Sequence, residues 1–201
     1  MEDFLAGKSS APKRTMSFAK LVAKNRSYRG FDNTFTVRAD QLRRIMEVVP
    51  LCPSARNQQV LRLRAVLADE ADKVLPHIRL GGALRELKLP LQGTEPRAFI
   101  VICSTVAEDK YVNMDLGIVA QTMLLQAVEI GLNGICIGAF DKQAVAKSLN
   151  LPYEPMLILA LGRGAETIRT VEISESDSHN YYRKDGIHYV PKLPLEAILL
   201  K

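Results

Sequence analysis

Arg26-Ser27-Tyr28-Arg29 sets two guanidinium groups three positions apart with a hydroxyl between them. A phosphate suits such a set, because guanidinium groups give charge-assisted hydrogen bonds to several oxygens at once. On a helix the two arginines would share a face. The structural alternative is that basic side chains here offset the dipole at a helix end. Pro53-Ser54-Ala55-Arg56-Asn57 is a second polar cluster, a Pro-led loop. Asn57 offers an acceptor and two donors, which matches a ring edge of alternating N–H and C=O groups. An ordinary turn capped by Ser54 accounts for the same residues. Ile135-Cys136-Ile137-Gly138-Ala139 places a glycine at the carboxyl end of an apolar run. There a backbone can approach a flat ligand closely, or a strand simply has room to turn.

Other chemistries lack their residues. No Ser-His-Asp set, carboxylate pair, Walker loop or GxGxxG run is legible, and Gly162-Arg163-Gly164 lacks the third glycine and the following helix of a dinucleotide fingerprint. The three cysteines show no CxxC spacing and the three histidines no ligand pattern, so neither a disulfide framework nor a metal site is expected. Cys103 and Cys136 sit in apolar runs and read as core residues. Cys52 abuts the Pro53 loop and is the cysteine placed to line a site. Any redox or group-transfer chemistry then falls to a bound cofactor.

The net charge of +5 over 201 residues suits an anionic ligand but is too dilute for nucleic acid. Apolar content of 47% and charged content of 24% fit one soluble globular domain over 1–201. The first residues carry acids where a signal peptide carries positive charge, and no apolar run approaches membrane-spanning length. A cytoplasmic protein with no membrane partner is expected.

Several elements would position these residues. Residues 1–15 read as a loose leader or as a short helix at Glu2 to Ala6. Ser17 is an N-cap candidate for a helix with Phe18, Leu21 and Val22 on one face, ending near Asn25. Arg38 to Val49 has helical spacing, Val60 to Ala68 alternates like a strand, and Glu70 to Ile78 reads as helical. Residues 81–96 are irregular. Ala98 to Cys103 and Met156 to Leu161 are continuous apolar runs, the mark of buried strands. Asp109 to Ile130 is a long helix apolar almost all round, closed by Gly131. Ile135 to Ile137 is a short strand, Asp141 caps a helix to Leu149, and Asp185-Gly186 turns a hairpin. The tail from Pro191 to Lys201 carries Leu193, Leu195, Ile198, Leu199 and Leu200, which must pack on something. The expected class is α+β, a central mixed, mainly antiparallel sheet flanked by helices.

Taken in order, these pieces resemble the nitroreductase family of FMN-dependent oxidoreductases. The resemblance runs from Ser17 to Lys201 and rests on Arg26 to Asp32, the Pro53 loop, Asp115-Leu116-Gly117, Gly131-Leu132, Ile137-Gly138, Leu159 to Gly162 and Val190-Pro191-Lys192. It implies a homodimer with FMN at the subunit interface and the C-terminal tail packing on the partner. It further implies Arg26 and Ser27 at the phosphate end and Arg29 at the pyrimidine edge of the ring. Pro53, Ser54, Ala55 and Asn57 would come from the other subunit. Ile137 and Gly138 would lie near N5, and Lys192 would return to the phosphate. The implied activity is hydride transfer from NADH or NADPH through FMN to a small-molecule acceptor, such as a nitroaromatic or quinone, in ping-pong fashion. A flavin carrier or sensor without turnover, a flavin-fragmenting or dehalogenating member, and a basic interaction module without cofactor are the alternatives. The chain departs from the family at Asn25, where another Arg is common, at Arg56, at Val60 and at Ala139, and 81–96 is where members differ most.

Overall fold

The computed structural model describes residues 16–84 and 86–200. The expected leader over 1–15 lies outside them. A four-stranded sheet is built from β1 (Leu61–Val66), β2 (Ala98–Ser104), β3 (Asn133–Ile137) and β4 (Glu154–Gly162), in the order β1-β2-β4-β3. All three pairings are antiparallel. Every residue of β2 is buried, because both faces of the sheet are covered. Ile100, Ile102, Leu159 and Leu161 join one core with α2 (Ala39–Met46) and α3 (Lys110–Glu129). Phe99, Val101, Ile158 and Ala160 join the other, with Val74 and with Val145 of α4 (Lys142–Ser148).

A second, three-stranded sheet has the order β5-β7-β6, from β5 (Thr167–Glu172), β6 (Tyr182–Lys184) and β7 (Ile187–Lys192). Its parallel β5–β7 pair makes the whole fold mixed, while the central sheet is wholly antiparallel. The hairpin is as expected: Asp185 and Gly186 both have positive φ, 50° and 75°, which a two-residue turn of this hand requires. β5 was not expected, since its residues are mostly exposed and carry no apolar alternation.

Four local expectations need correction. The first helix, α1 (Phe18–Lys24), stops before Arg26, and Ser27 instead forms a parallel bridge with Gly134, so Arg26 and Arg29 share no helix face. The stretch 70–78 is two single 3₁₀ turns, Ala71–Lys73 and Leu75–His77, parted at Val74, and Pro76 within the second gives no backbone donor to a continuous helix. α3 is not uniformly enclosed: Val112, Leu116, Val119 and Met123 are buried, while Met114, Gly117, Ile118 and Gln121 form an exposed stripe. Cys136 is exposed, because it lies on the edge strand β3 and points to the opposite face from the buried Ile135 and Ile137. Cys103 is a core residue as expected, and burial pushes its thiol up to about 11.

Candidate functional site

α1 ends at Asn25 and the chain then runs extended past the edge of β3. Close approach matters here: a Cβ on Gly134 would fall 2.8 Å from the Ala160 carbonyl oxygen, and one on Gly164 would fall 2.2 Å from the Tyr28 ring. Arg26 turns back on the helix, donating from Nε to Asn25 O at 2.6 Å and from Nη2 to Val22 O at 2.7 Å. The C-terminal capping role is therefore real, whatever else the residue does.

Arg29 is only 8% exposed. Its Nη1 donates to Ser27 O at 3.0 Å and lies 3.2 Å from His188 Nε2, and its guanidinium sits 4.4 Å above the Tyr181 ring. A guanidinium can only donate, so His188 accepts at Nε2 and carries its proton on Nδ1. Burial, then the charges of Arg29 and Arg183, hold the His188 ring down to about 4, and it is neutral. Glu166 ties the segment down. One of its oxygens accepts from the Arg29 N–H and from the Gly30 N–H, the latter at 3.0 Å, and the other accepts from Arg183. His188 Nδ1 and Arg29 Nε are buried without a partner among the described residues.

Arg26, Ser27, Arg29 and Lys192 meet on one cleft of about 320 Å³, with Tyr181 and His188 on its wall. That lies at the lower end of the roughly 300–1,000 Å³ of ligand pockets. Three cations line it and no carboxylate does, and Lys192 makes no side-chain bond among the described residues. Pro53, Ser54 and Asn57 line a different cleft, of about 220 Å³, with Cys52, Asp115 and Val119. Ala55 sits in the same loop and donates its N–H to Asp115 at 2.8 Å. Gly138 opens onto a third cleft, of about 530 Å³, beside His77 and Arg79. A Cβ on Gly138 would meet nothing, so the glycine leaves open space rather than serving a crowded turn. The Ile137 side chain is buried in the core.

One chain thus gathers the phosphate-type donors and keeps the Pro53 loop and Gly138 on separate openings. Sequence reading missed Tyr181, His188 and Glu166, which reach Arg29 from more than a hundred residues away, and Arg183, which pairs with Glu166. Asp115 was detectable, as an acid on the inward face of an otherwise apolar run.

Residues 22–163 match the family model described as the nitroreductase family. This chain belongs to the nitroreductase family. The match runs from the last residues of α1 through β4 and stops before Glu166, so the second sheet and Lys192 lie beyond it. A nitroreductase-named protein of Methanocaldococcus jannaschii is 35% identical over 57 residues, 28% of this chain and 29% of that one. The nitroreductase fold extends further. A nitroreductase family protein of Streptococcus pneumoniae superposes with a TM-score of 0.66 at 18% identity, over 92% of this chain and all (100%) of that one. A protein of Exiguobacterium sibiricum, named as a nitroreductase and solved in complex with FMN, gives 0.62 at 16% identity, over 77% and 91%. One of Staphylococcus epidermidis, named as an NAD(P)H:FMN oxidoreductase, gives 0.61 at 20%, over 79% and 92%.

Proposed function

We propose that this nitroreductase family member is an FMN-dependent oxidoreductase that takes hydride from NAD(P)H and reduces a small-molecule acceptor, such as a nitroaromatic or a quinone, as a homodimer. The observation that carries the reading is the three-cation, carboxylate-free cleft of Arg26, Arg29 and Lys192, in a family whose solved relatives include an FMN complex. The donor set fits a phosphate monoester, because point charge from Lys192 and directed N–H groups from Arg26 complement each other.

Lys192, Arg26 and Ser27 would hold the phosphate end. Arg29 would place a fixed positive charge by the pyrimidine edge, and its burial under Tyr181 and its contact with neutral His188 keep that charge poorly screened. Pro53, Ser54, Ala55 and Asn57 of a second copy would close the other side of the ring. Ile137 and Gly138 would border N5, where the missing Cβ leaves room. FMN, when bound, supplies two-electron hydride chemistry to the site, so no side chain need act as acid or base. Cys52 lines the Pro53 cleft but is dispensable on this reading.

The test is to load the purified chain with FMN, record the flavin absorbance, and mix it anaerobically with NADH or NADPH. Bleaching, parallel double-reciprocal lines in turnover, and a Cys52→Ala variant within a few-fold of the native rate are expected. A chain that takes up no flavin sinks the reading. Flavin uptake without bleaching by either nucleotide leaves a carrier or sensor instead.

A further inference from the structure

The Pro53 loop is held in an unusual shape by a residue with no other evident purpose. Arg56, Asn57 and Gln59 all have positive φ, 52°, 53° and 49°. Residues with side chains avoid this left-handed region, and three within four positions need an external hold. Asp115 supplies one. It lies on the inward face of α3 between Val112 and Val119, only 4% exposed, and makes no ion pair among the described residues. A leucine there would suit the helix's packing, and an unpaired buried carboxylate is costly to fold. Both its oxygens are spent on the loop. Oδ2 accepts from the Ser54 hydroxyl at 2.6 Å and Oδ1 from the Ala55 N–H at 2.8 Å. The Ser54 oxygen in turn accepts from the Gln59 N–H at 3.0 Å, so the loop is tied at its start and its end. One helical turn earlier, Tyr111 takes the Arg56 guanidinium over its ring at 4.9 Å.

We infer that Asp115 is a positioning residue that locks the strained 53–59 loop into the shape it presents to the flavin of a partner subunit. The inference rests on the functional reading above, and it explains why a helix that fills a core carries a charge at this place. Only the loop gains from that charge.

Asp115→Asn keeps the shape and removes the charge, leaving one acceptor oxygen where two donors converge. Three quantities are compared in the native chain, Asp115→Asn, Ser54→Ala and the double variant: the FMN dissociation constant of the apo-protein, amide exchange at Ala55 and Gln59, and the melting temperature. Each single variant is expected to bind FMN on the order of tenfold more weakly and to exchange both amides faster. The double variant should be no worse than the poorer single one, because both act through one network. The melting temperature of Asp115→Asn should fall as well, since the Asn amide leaves one buried donor of the loop without an acceptor. A purely structural role predicts the same fall in melting temperature but with native FMN affinity, so the affinity decides. Native FMN affinity in Asp115→Asn overturns the inference, whatever the amides do. A native chain that takes up no FMN sinks the functional reading and the positioning role together. Amide exchange then separates the failures: acceleration in Asp115→Asn leaves the lock intact as a structural fact, and no change removes that as well.

Discussion

Lys192 and Arg26 line the same cleft but stand differently in the fold. Arg26 spends two donors on carbonyls at the end of α1, while Lys192 makes no side-chain bond within the described residues. A charged hydrogen bond contributes roughly 1.5–3 kcal/mol, so Lys192→Ala should weaken FMN binding about 10- to 100-fold with no change in melting. Arg26→Ala should weaken binding and lower the melting temperature together. Calorimetric titration beside a melting scan checks both; an unchanged affinity in Lys192→Ala would remove it from the site. His188 gives a pH prediction. Its folded ring is held to about 4 against an ordinary 6.5. Between those values the unfolded chain binds a proton that the folded chain refuses. The associated stability is complete above pH 6.5 and lost as pH falls toward 4. The native melting temperature should therefore drop more steeply across that window than that of His188→Leu, and equal slopes would refute the assignment.

The elements owe their ends to different devices. Asp109 caps α3 by accepting from the Tyr111 and Val112 N–H groups at 2.9 and 2.7 Å. Ser17 stands at the same position of α1 but makes no side-chain cap bond. Asp109→Ala should cost about 0.5–2 kcal/mol, or roughly 2–4 °C per kcal/mol for a chain of this size. Ser17→Ala should be silent. Thermal denaturation of the pair tests this, and equal shifts would mean that the caps act alike. The helix α3 matters beyond its own stability, because its inward face carries Asp115 and thereby the Pro53 loop.

The whole molecule leaves apolar surface uncovered. Phe18 of α1, Met114 and Ile118 of α3, and Leu195, Ile198, Leu199 and Leu200 of the tail are exposed. No residue of the four-residue helix Leu195–Ile198 is buried against the described residues. Patches of this kind mark interfaces, and in the proposed dimer the second copy would also bring its Pro53 loop to the bound flavin. Charging the tail with Ile198→Asp and Leu199→Asp should convert a dimer into monomers and release FMN with them. Sedimentation velocity at low micromolar concentration, with flavin absorbance followed in the same cell, is the measurement. A native monomer that keeps its FMN would sink the proposal.

Sequence alone determined what depends on local pattern. The two buried strands, the long helix with its Gly131 stop, and the Asp185-Gly186 hairpin were legible because apolar runs, helical spacing and turn residues act over a few positions. The ordered motifs from Arg26 to Gly138 likewise pointed to the family that residues 22–163 match. What the sequence could not give is distance across the fold. The sheet's order, the extended path of Arg26 to Arg29 in place of a helix face, and the exposure of Cys136 on an edge strand all follow from which strands pair. Glu166 and His188 reach Arg29 only because β5 and β7 lie side by side, and β5 itself has too little apolar pattern to announce a strand. Asp115 holds the Pro53 loop for the same kind of reason. A carboxylate finds its donors through space, and sixty residues of intervening chain leave no local trace of that contact.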